Sequence, residues 1–542
     1  MKVGAAIAEI LKREGVDIIF GYPRNAVLEA AAAEGIRPII VRQERTGLHM
    51  ADAMSRLTRG EKMGVFAMQH GPGTENAYGG IAQAYSESVP VLVLPQGYAR
   101  RLAHVPDNYN ASLSMRDITK SAEPITAAGE TVNVMRRAFT ALRNGRLRPA
   151  LVEMPSDILD DEVGEPIAYE PVVRTRSAPD AAAVRAAAEL LVGAKRPVIY
   201  AGQGVHWAEA YEVLKALAEL LAAPVATSLE GKSAFNETHP LAIGSGGAAI
   251  PGQLRHLLDE ADVILGIGCS FSETPFGVRM PLGKRVIHAT LDPADINKSV
   301  IAEQALVGDA QLSLGMLVEA CAALIDTPRD PGTVHREIAE VEARWMEEWR
   351  PLLESTDAPL SPYHVLWQLQ QTVDVANTII THDAGSPRDQ LSPFWKTTVP
   401  LSYIGWGKTT QLGYGLGLAM GAKLACPDKL CINVWGDAAI GFTGMDFETA
   451  VRERIPILSI LLNNSAMAIE LNQMPVATER YRSTDISGDY AAFARALGGY
   501  GEQVNAADEI VPAIRRGIDA TEAGQPALIE FITAKETRAS RL

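Results

Sequence analysis

The stretch from Leu430 to Ala466, LCINVWGDAAIGFTGMDFETAVRERIPILSILLNNSA, constrains the fold more than any other. Its apolar run Leu430–Trp435 is too short for a lone helix and stops at Gly436, so it reads as a buried strand. Thr443 with Asp446 three residues on predicts a helix N-cap, and the helix runs to about Arg454. Pro456 bars its continuation, and Ile457–Leu462 reads as a second buried strand ending at Asn463-Asn464. A strand–helix–strand crossover predicts two parallel, neighbouring strands. Asp437 and Asn464 then lie just past the carboxyl ends of strands about 4.8 Å apart. A carboxylate and an amide oxygen so placed can share one hard cation, with the carbonyl of Ala466 as a third oxygen. Mg²⁺ takes such ligands octahedrally and is commonly shared with phosphates. The N–H groups of Ala438 and Ala439 face the same spot and suit a diphosphate.

A chain of 542 residues predicts two to four domains. Hydrophobic content of 47% beside 21% charged residues is that of a globular protein with large cores. The net charge of −15 argues against nucleic acid or an anionic membrane as partner. Cys269, Cys321, Cys426 and Cys431 form no CxxC pair, which reads as buried thiols in a reducing cytoplasm. The start, MKVGAAIAEILKREG, is an amphipathic helix without a signal-peptide core. No apolar run is long enough for a membrane span.

Helical and short apolar patterns alternate in three blocks, which predicts three doubly wound, mostly parallel α/β domains at residues 1–160, 181–330 and 355–542. Strands are expected at Asp17–Phe20, Pro38–Val41, Met63–Met68, Pro90–Pro95 and Ala150–Met154 in the first block. The second has Val198–Ala201, Val225–Thr227, Val263–Ile267 and Val286–Thr290; the third opens with Ile379–His382. Asp160–Asp180 reads as a linker, and Val334–Leu353 as a charged helix leading into the third block.

Gly436-Asp437 followed by Asn463-Asn464 resembles the thiamin diphosphate (ThDP) fingerprint of acetolactate synthase, pyruvate decarboxylase and their relatives. That family usually has Gly where Ala438 stands; the substitution is tolerable if the local φ is negative. The resemblance implies that Asp437, Asn464 and Ala466 hold Mg²⁺, with Gly436, Ala438 and Ala439 against the diphosphate. It covers nearly the whole chain, as pyrimidine-binding, central and diphosphate-binding domains.

Other motifs follow in family order. Glu44, after the strand Pro38–Val41 and before a helix expected over Thr46–Arg59, matches the glutamate that bonds the aminopyrimidine N1′. By residue type alone it is equally a first-turn Glu favoured by the helix dipole. Gln69-His70-Gly71-Pro72-Gly73 matches a glycine turn beside the cofactor, with His70 as a proton relay or a plain turn histidine. Asp383-Ala384-Gly385-Ser386 matches a diphosphate-contacting turn. Gly405–Gly415 matches the loop that bends ThDP, with Leu412 under the two rings and the Thr410 carbonyl on the 4′-amino group. Arg24 departs from the small residue usual in the loop Gly21–Asn25. It suits a substrate carboxylate or the surface. Glu470, six residues past Asn464, is either a general acid with a raised pKa or a solvent-facing helix residue.

The resemblance implies covalent catalysis by the cofactor: addition to a 2-oxo acid, loss of CO₂, then carboligation as in acetolactate synthase. Simple decarboxylation and 2-hydroxyacyl-CoA cleavage are the alternatives within that chemistry. A non-catalytic nucleotide-binding homologue is the alternative outside it. In the central domain, Gly202-Gln203-Gly204 and Gly266-Ile267-Gly268 read as tight turns or nucleotide contacts, and Val286–Lys298 with Asp292 matches a nucleotide-side strand. The synthase's flavin-clasping Arg segment is replaced by Ser270-Phe271-Ser272-Glu273, which weighs against FAD and leaves ADP open. Glu44 and Asp437 meet across subunits in this family, so the expected assembly is a homodimer or homotetramer.

Overall fold

The computed structural model describes residues 1–541. Three six-stranded sheets form, every one of them parallel throughout. The first contains β1 (Ile18–Gly21), β2 (Arg37–Ile40), β3 (Gly64–Met68), β4 (Val91–Gly97), β5 (Ser121–Pro124) and β6 (Ala150–Pro155). The second contains β7 (Pro197–Ala201), β8 (Val225–Ser228), β9 (Ala242–Gly246), β10 (Val263–Ile267), β11 (Arg285–Thr290) and β12 (Gln304–Val307). The third contains β13 (Thr378–His382), β14 (Tyr403–Ile404), β15 (Leu430–Gly436), β16 (Leu458–Asn463), β17 (Tyr500–Val504) and β18 (Ala527–Ile532). Helices cover both faces, as parallel strands require for burial on two sides. Three doubly wound α/β domains are therefore the architecture.

Strand order places the crevices. The first sheet runs β2-β1-β3-β4-β6-β5, and the third, β14-β13-β15-β16-β18-β17, repeats it strand for strand. The second runs β12-β11-β10-β7-β8-β9. Ligands of open α/β sheets bind beyond the carboxyl ends of the strands where the winding reverses. Those reversals fall between β1 and β3, between β7 and β10, and between β13 and β15.

The first and third domains are welded within one chain. The helix Glu44–Leu57 packs on the helix Tyr414–Ala425, and Gly417 and Gly421 let them touch. A Cβ on Gly417 would lie 2.5 Å from His49 Cβ, and one on Gly421 would lie 2.3 Å from the Met50 carbonyl oxygen. Buried Asp52 binds Arg56 and Tyr414, and Arg56 Nη1 donates to the Gly405 carbonyl (2.8 Å).

Some sequence expectations need correction. The helix after β15 starts at Asp437 itself, not at a Thr443 cap: Asp437–Thr443 is helical, Gly444–Asp446 is one 3₁₀ turn, and Phe447–Arg452 is a second helix. Thr443 Oγ1 instead donates to the Gly413 carbonyl (2.8 Å), and Asp446 accepts from Arg42 N (2.7 Å) and Thr449 Oγ1 (2.8 Å). Both polar side chains are committed to tertiary contacts. The helix expected from Thr46 starts at Glu44. Within Asp160–Asp180, Tyr169 is 2% exposed and bonds Glu14, while Val172 N donates to the same carboxylate (2.9 Å). That linker is a strap on the first domain. Among the described residues no helix is long and apolar enough to cross a membrane.

Candidate active site

The crevice of the third domain is built from two strand ends. Asp437 is 4% exposed; its carboxylate accepts from Ala438 N (2.9 Å) and Ala466 N (3.2 Å), and Asn464 Oδ1 accepts from the same Ala466 N (3.0 Å). The predicted trio of Asp437, Asn464 and Ala466 thus converges where the ends of β15 and β16 meet. Buried Glu530 secures it from below by accepting from Asn463 Nδ2 (2.7 Å), and Asn463 Oδ1 accepts from Ser465 N (3.0 Å). The Tyr490 hydroxyl donates to the Asp437 carbonyl (3.3 Å). Gly385 and Ser386 flank the cluster from β13: a Cβ on Gly436 would meet Pro387 at 3.8 Å, and one on Gly385 would meet Ile469 at 3.8 Å.

Ala438 lies in the first helical turn, outside the left-handed region, so its methyl group is tolerated as expected. Its N–H, however, is already given to the Asp437 carboxylate, which leaves Ala439 N–H as the first-turn donor for a ligand. Burial raises Asp437 above the ordinary carboxylate value, against the pull of the Ala438, Ala466 and Ser465 amides. A cation there would restore the anion, and its remaining coordination would fall to diphosphate oxygens and water. One carboxylate, one amide oxygen and one carbonyl are the hard oxygen donors that Mg²⁺ takes, so the residues fit.

The crevice of the first domain differs. Glu44 opens its helix at 3% exposure, beside Gly73 and Asn76 of the helix Pro72–Ser86. Burial raises its pKa, opposed by its own amide and by Asn76, with the Asp446 carboxylate adding to the rise. Such a carboxyl holds a proton more tightly than an exposed one and can share it with a ring nitrogen. His70 packs tilted against Tyr98 (centroids 4.6 Å, rings at 54°), and its Nδ1 is buried with no partner among the described residues. Burial and the nearby Arg24 lower its pKa, so the neutral ring is the form present at neutral pH. Arg24 is exposed, with φ +77°. Asn25 anchors its loop through Nδ2 bonds to the Met68 and Leu94 carbonyls (both 2.8 Å).

The loop Gly405–Gly413 is organised by a residue whose role the sequence did not disclose. Asp383 accepts from Ala384 N (2.8 Å), Gly413 N (2.9 Å) and Gly415 N (3.0 Å), and burial pushes it up to about 6. Thr410 and Leu412 are half-buried, and Arg45 Nη1 donates to the Leu412 carbonyl (3.3 Å). Glu470 is half-buried on the 3₁₀ turn Glu470–Asn472 rather than on a helix face. Within the chain, Glu44 lies near Asp446; no contact joins it to the Asp437 cluster among the described residues.

The comparisons follow the domain order. Residues 1–119 match the thiamine pyrophosphate enzyme N-terminal TPP binding domain, residues 184–317 its central domain, and residues 383–531 its C-terminal TPP binding domain. The chain is 31% identical to the "probable acetolactate synthase large subunit" of Methanocaldococcus jannaschii, over 98% of this chain and 92% of that protein. The chain belongs to the acetolactate synthase family of thiamine pyrophosphate enzymes. A second relative, the acetolactate synthase isozyme 3 large subunit of Escherichia coli, is 29% identical over 93% of this chain and 90% of its own length. The chain is accordingly a ThDP-dependent enzyme.

In this family member the central domain holds a cavity of about 1180 Å³ at the β7/β10 reversal, lined by Gln203, Glu230, Ser270, Phe271, Asp292 and Lys408 among others. The two glycine turns meet backbone to backbone, since a Cβ on Gly204 would stand 2.7 Å from Gly268 Cα. Asp292 caps its own turn by accepting from Ala294 N (3.0 Å). Cys269, Cys321, Cys426 and Cys431 are all free thiols.

Proposed function

We propose that this enzyme uses ThDP and Mg²⁺ to decarboxylate a small 2-oxo acid and joins the acyl fragment to a second carbonyl compound. The observation that carries this reading is the pair of half-sites. A buried Glu44 with a raised pKa stands in one domain, and the Asp437, Asn464 and Ala466 cluster stands in another of the same topology. The relatives' name, acetolactate synthase, supports carboligation over simple decarboxylation or acyl-CoA cleavage.

Bound between the half-sites, the cofactor would supply a nucleophilic carbon for a substrate carbonyl. Asp437, Asn464 and the Ala466 carbonyl would hold Mg²⁺, and Gly385, Ser386, Gly436 and Ala439 would line the diphosphate. Glu44 would hydrogen-bond the pyrimidine nitrogen. Leu412 would support the rings, and the Thr410 carbonyl would accept from the amino group. His70, neutral at working pH, and Glu470 are the candidates for moving protons on the substrate side.

The half-sites meet in a homodimer, or a tetramer made of dimers. Phe442, Met445, Met467, Met474 and Tyr481 are 39–76% exposed on the third domain, an apolar rim that supports coverage by a partner's first domain. Ser270–Glu273 weighs against FAD without removing it from the cofactor set, because Arg143, Arg146, Arg174, Arg255 and Arg279 also line the central cavity. We place the enzyme in the cytoplasm on its free thiols. Purified protein with ThDP and Mg²⁺, offered a panel of 2-oxo acids, should release CO₂ and yield a coupled hydroxy-oxo acid. Release of free aldehyde alone would overturn carboligation, and an absorption spectrum lacking flavin bands is expected.

A further inference from the structure

The three domains converge on a charge cluster outside the half-sites. Lys408 lies in the loop that carries Thr410 and Leu412, and its Nζ is 3.9 Å from Glu230 Oε1 of the central domain. Its backbone N donates to Glu87 Oε1 (2.7 Å), as does Gly407 N (3.1 Å). Glu87 comes from the first domain and is fully buried at the C-terminal end of the helix Pro72–Ser86, an end that disfavours anions. Its Oε2 has no partner among the described residues. Neighbouring Gln83 is tied to the same loop, donating to the Thr409 carbonyl (3.0 Å) and accepting from Thr409 Oγ1 (2.8 Å).

The remaining charged neighbours define the balance. Arg56 faces both carboxylates and is held by Asp52, with the Tyr414 hydroxyl behind; the Tyr200 phenol and Ser228 face Glu230. Fully ionised, Glu87, Glu230 and Asp52 outnumber Lys408 and Arg56 by one. An uncompensated charge in such a place is costly, and a retained proton removes it. Burial and the Glu230 charge push Glu87 up to about 7. Burial is the strongest single influence on Glu230 and raises it, but Lys408, its own amide, Ser228 and Arg56 together hold it below the ordinary value.

We propose that Lys408 is a positioning residue whose hold on the cofactor loop is set by one proton kept between Glu87 and Glu230. The proposal rests on the ThDP reading of that loop. Ionised Glu87 accepts two loop amides and draws the lysine toward the first domain. Protonated Glu87 loses the charge-assisted part of those bonds, and the ammonium turns to Glu230. The loop then slackens two residues before Thr410 and four before Leu412, so ThDP binds more weakly as pH falls.

Tryptophan-fluorescence titration of the full-length apo protein with ThDP at saturating Mg²⁺, from about pH 5.5 to 8.5, tests this. The dissociation constant should rise roughly fivefold or more as pH falls through the Glu87 range. Glu230→Gln should shift the midpoint down by about one pH unit, and Lys408→Met should shift it up and weaken binding throughout. Glu87→Gln should flatten the profile at the weak level. The cofactor's own titration and that of Glu44 are common to all variants and cancel in the comparison. An unchanged midpoint in Glu230→Gln, with normal ThDP binding and an unchanged far-UV melt, overturns the proposal. If that variant melts early, a Glu87→Gln profile identical to wild type overturns it instead. Absence of ThDP binding by the wild type at every pH would overturn the cofactor reading itself.

Discussion

The first and third domains share one strand order, yet their crevices are lined for opposite tasks. Beyond β1, β3 and β4 stand Arg24, His70 and Tyr98, a cationic and aromatic lining with buried Glu44 beside it. Beyond β13 and β15 stand Gly385, Ser386 and a cluster of hard oxygen donors around Asp437. The scaffold thus fixes where a ligand lies, and the residues in a few loops decide which end of it is received. Neither crevice is a complete site. A domain with only the Asp437 cluster has no buried carboxyl for a ring nitrogen, and a domain with only Glu44 has no oxygen cage for a cation.

The division can be broken at either end. Asp437→Asn removes the one anionic ligand of its cluster. Loss of such a charged contact costs about 2–3 kcal/mol, so Mg²⁺-dependent ThDP affinity should fall on the order of 100-fold, as read by calorimetric titration. Glu44→Gln should leave ThDP affinity within about threefold but slow exchange of the thiazolium C2 proton by 100-fold or more. Proton NMR of the acid-quenched cofactor measures it, and exchange at the wild-type rate would remove Glu44 from the mechanism.

Raised carboxylates also set a pH signature. Asp383 at about 6, with Glu44, Asp437 and Asp446 raised by burial, keeps protons in the native state that the unfolded chain has released, while buried His206 at about 4 and His382 at about 3 release protons that the unfolded chain keeps. The Asp383 contribution to stability is therefore lost as pH rises from about 4 to 7, and the two histidines oppose it. Asp383 alone contributes on the order of 3 kcal/mol to that loss. Urea unfolding at several pH values reads it as the stability of wild type minus that of Asp383→Asn, a difference that should fall over this range. The smallest effect belongs to Ala438→Gly: because the residue is helical and its N–H is bound to Asp437, ThDP affinity should change by less than about threefold.

What could be read from sequence follows physical lines. Interior strands such as β10 and β15 are uninterrupted apolar runs and were expected within a residue or so of where they lie. Apart from β2, the edge strands escaped. β5 is Ser-Ala-Glu-Pro with no buried residue, β14 has two residues, and β17 is mostly half-exposed. Asp437, Asn464 and Ala466 were legible because a crossover between adjacent strands fixes where strand ends meet. Asp383 and Glu530 were not, since their partners are 27 or more residues away, apart from Ala384. Thr443 and Asp446 misled for the same reason: capping residues serve equally well in long-range bonds, and only the fold says which.

Mixing two inactive variants tests the central claim, that two chains each contribute half of one site. Glu44→Gln and Asp437→Asn proteins, unfolded and refolded together, should form mixed dimers with one intact site, recovering about a quarter of wild-type activity. Each variant alone should stay inactive. If the mixture recovers nothing while mixed dimers demonstrably form, Glu44 and Asp437 do not meet across chains and the account is wrong.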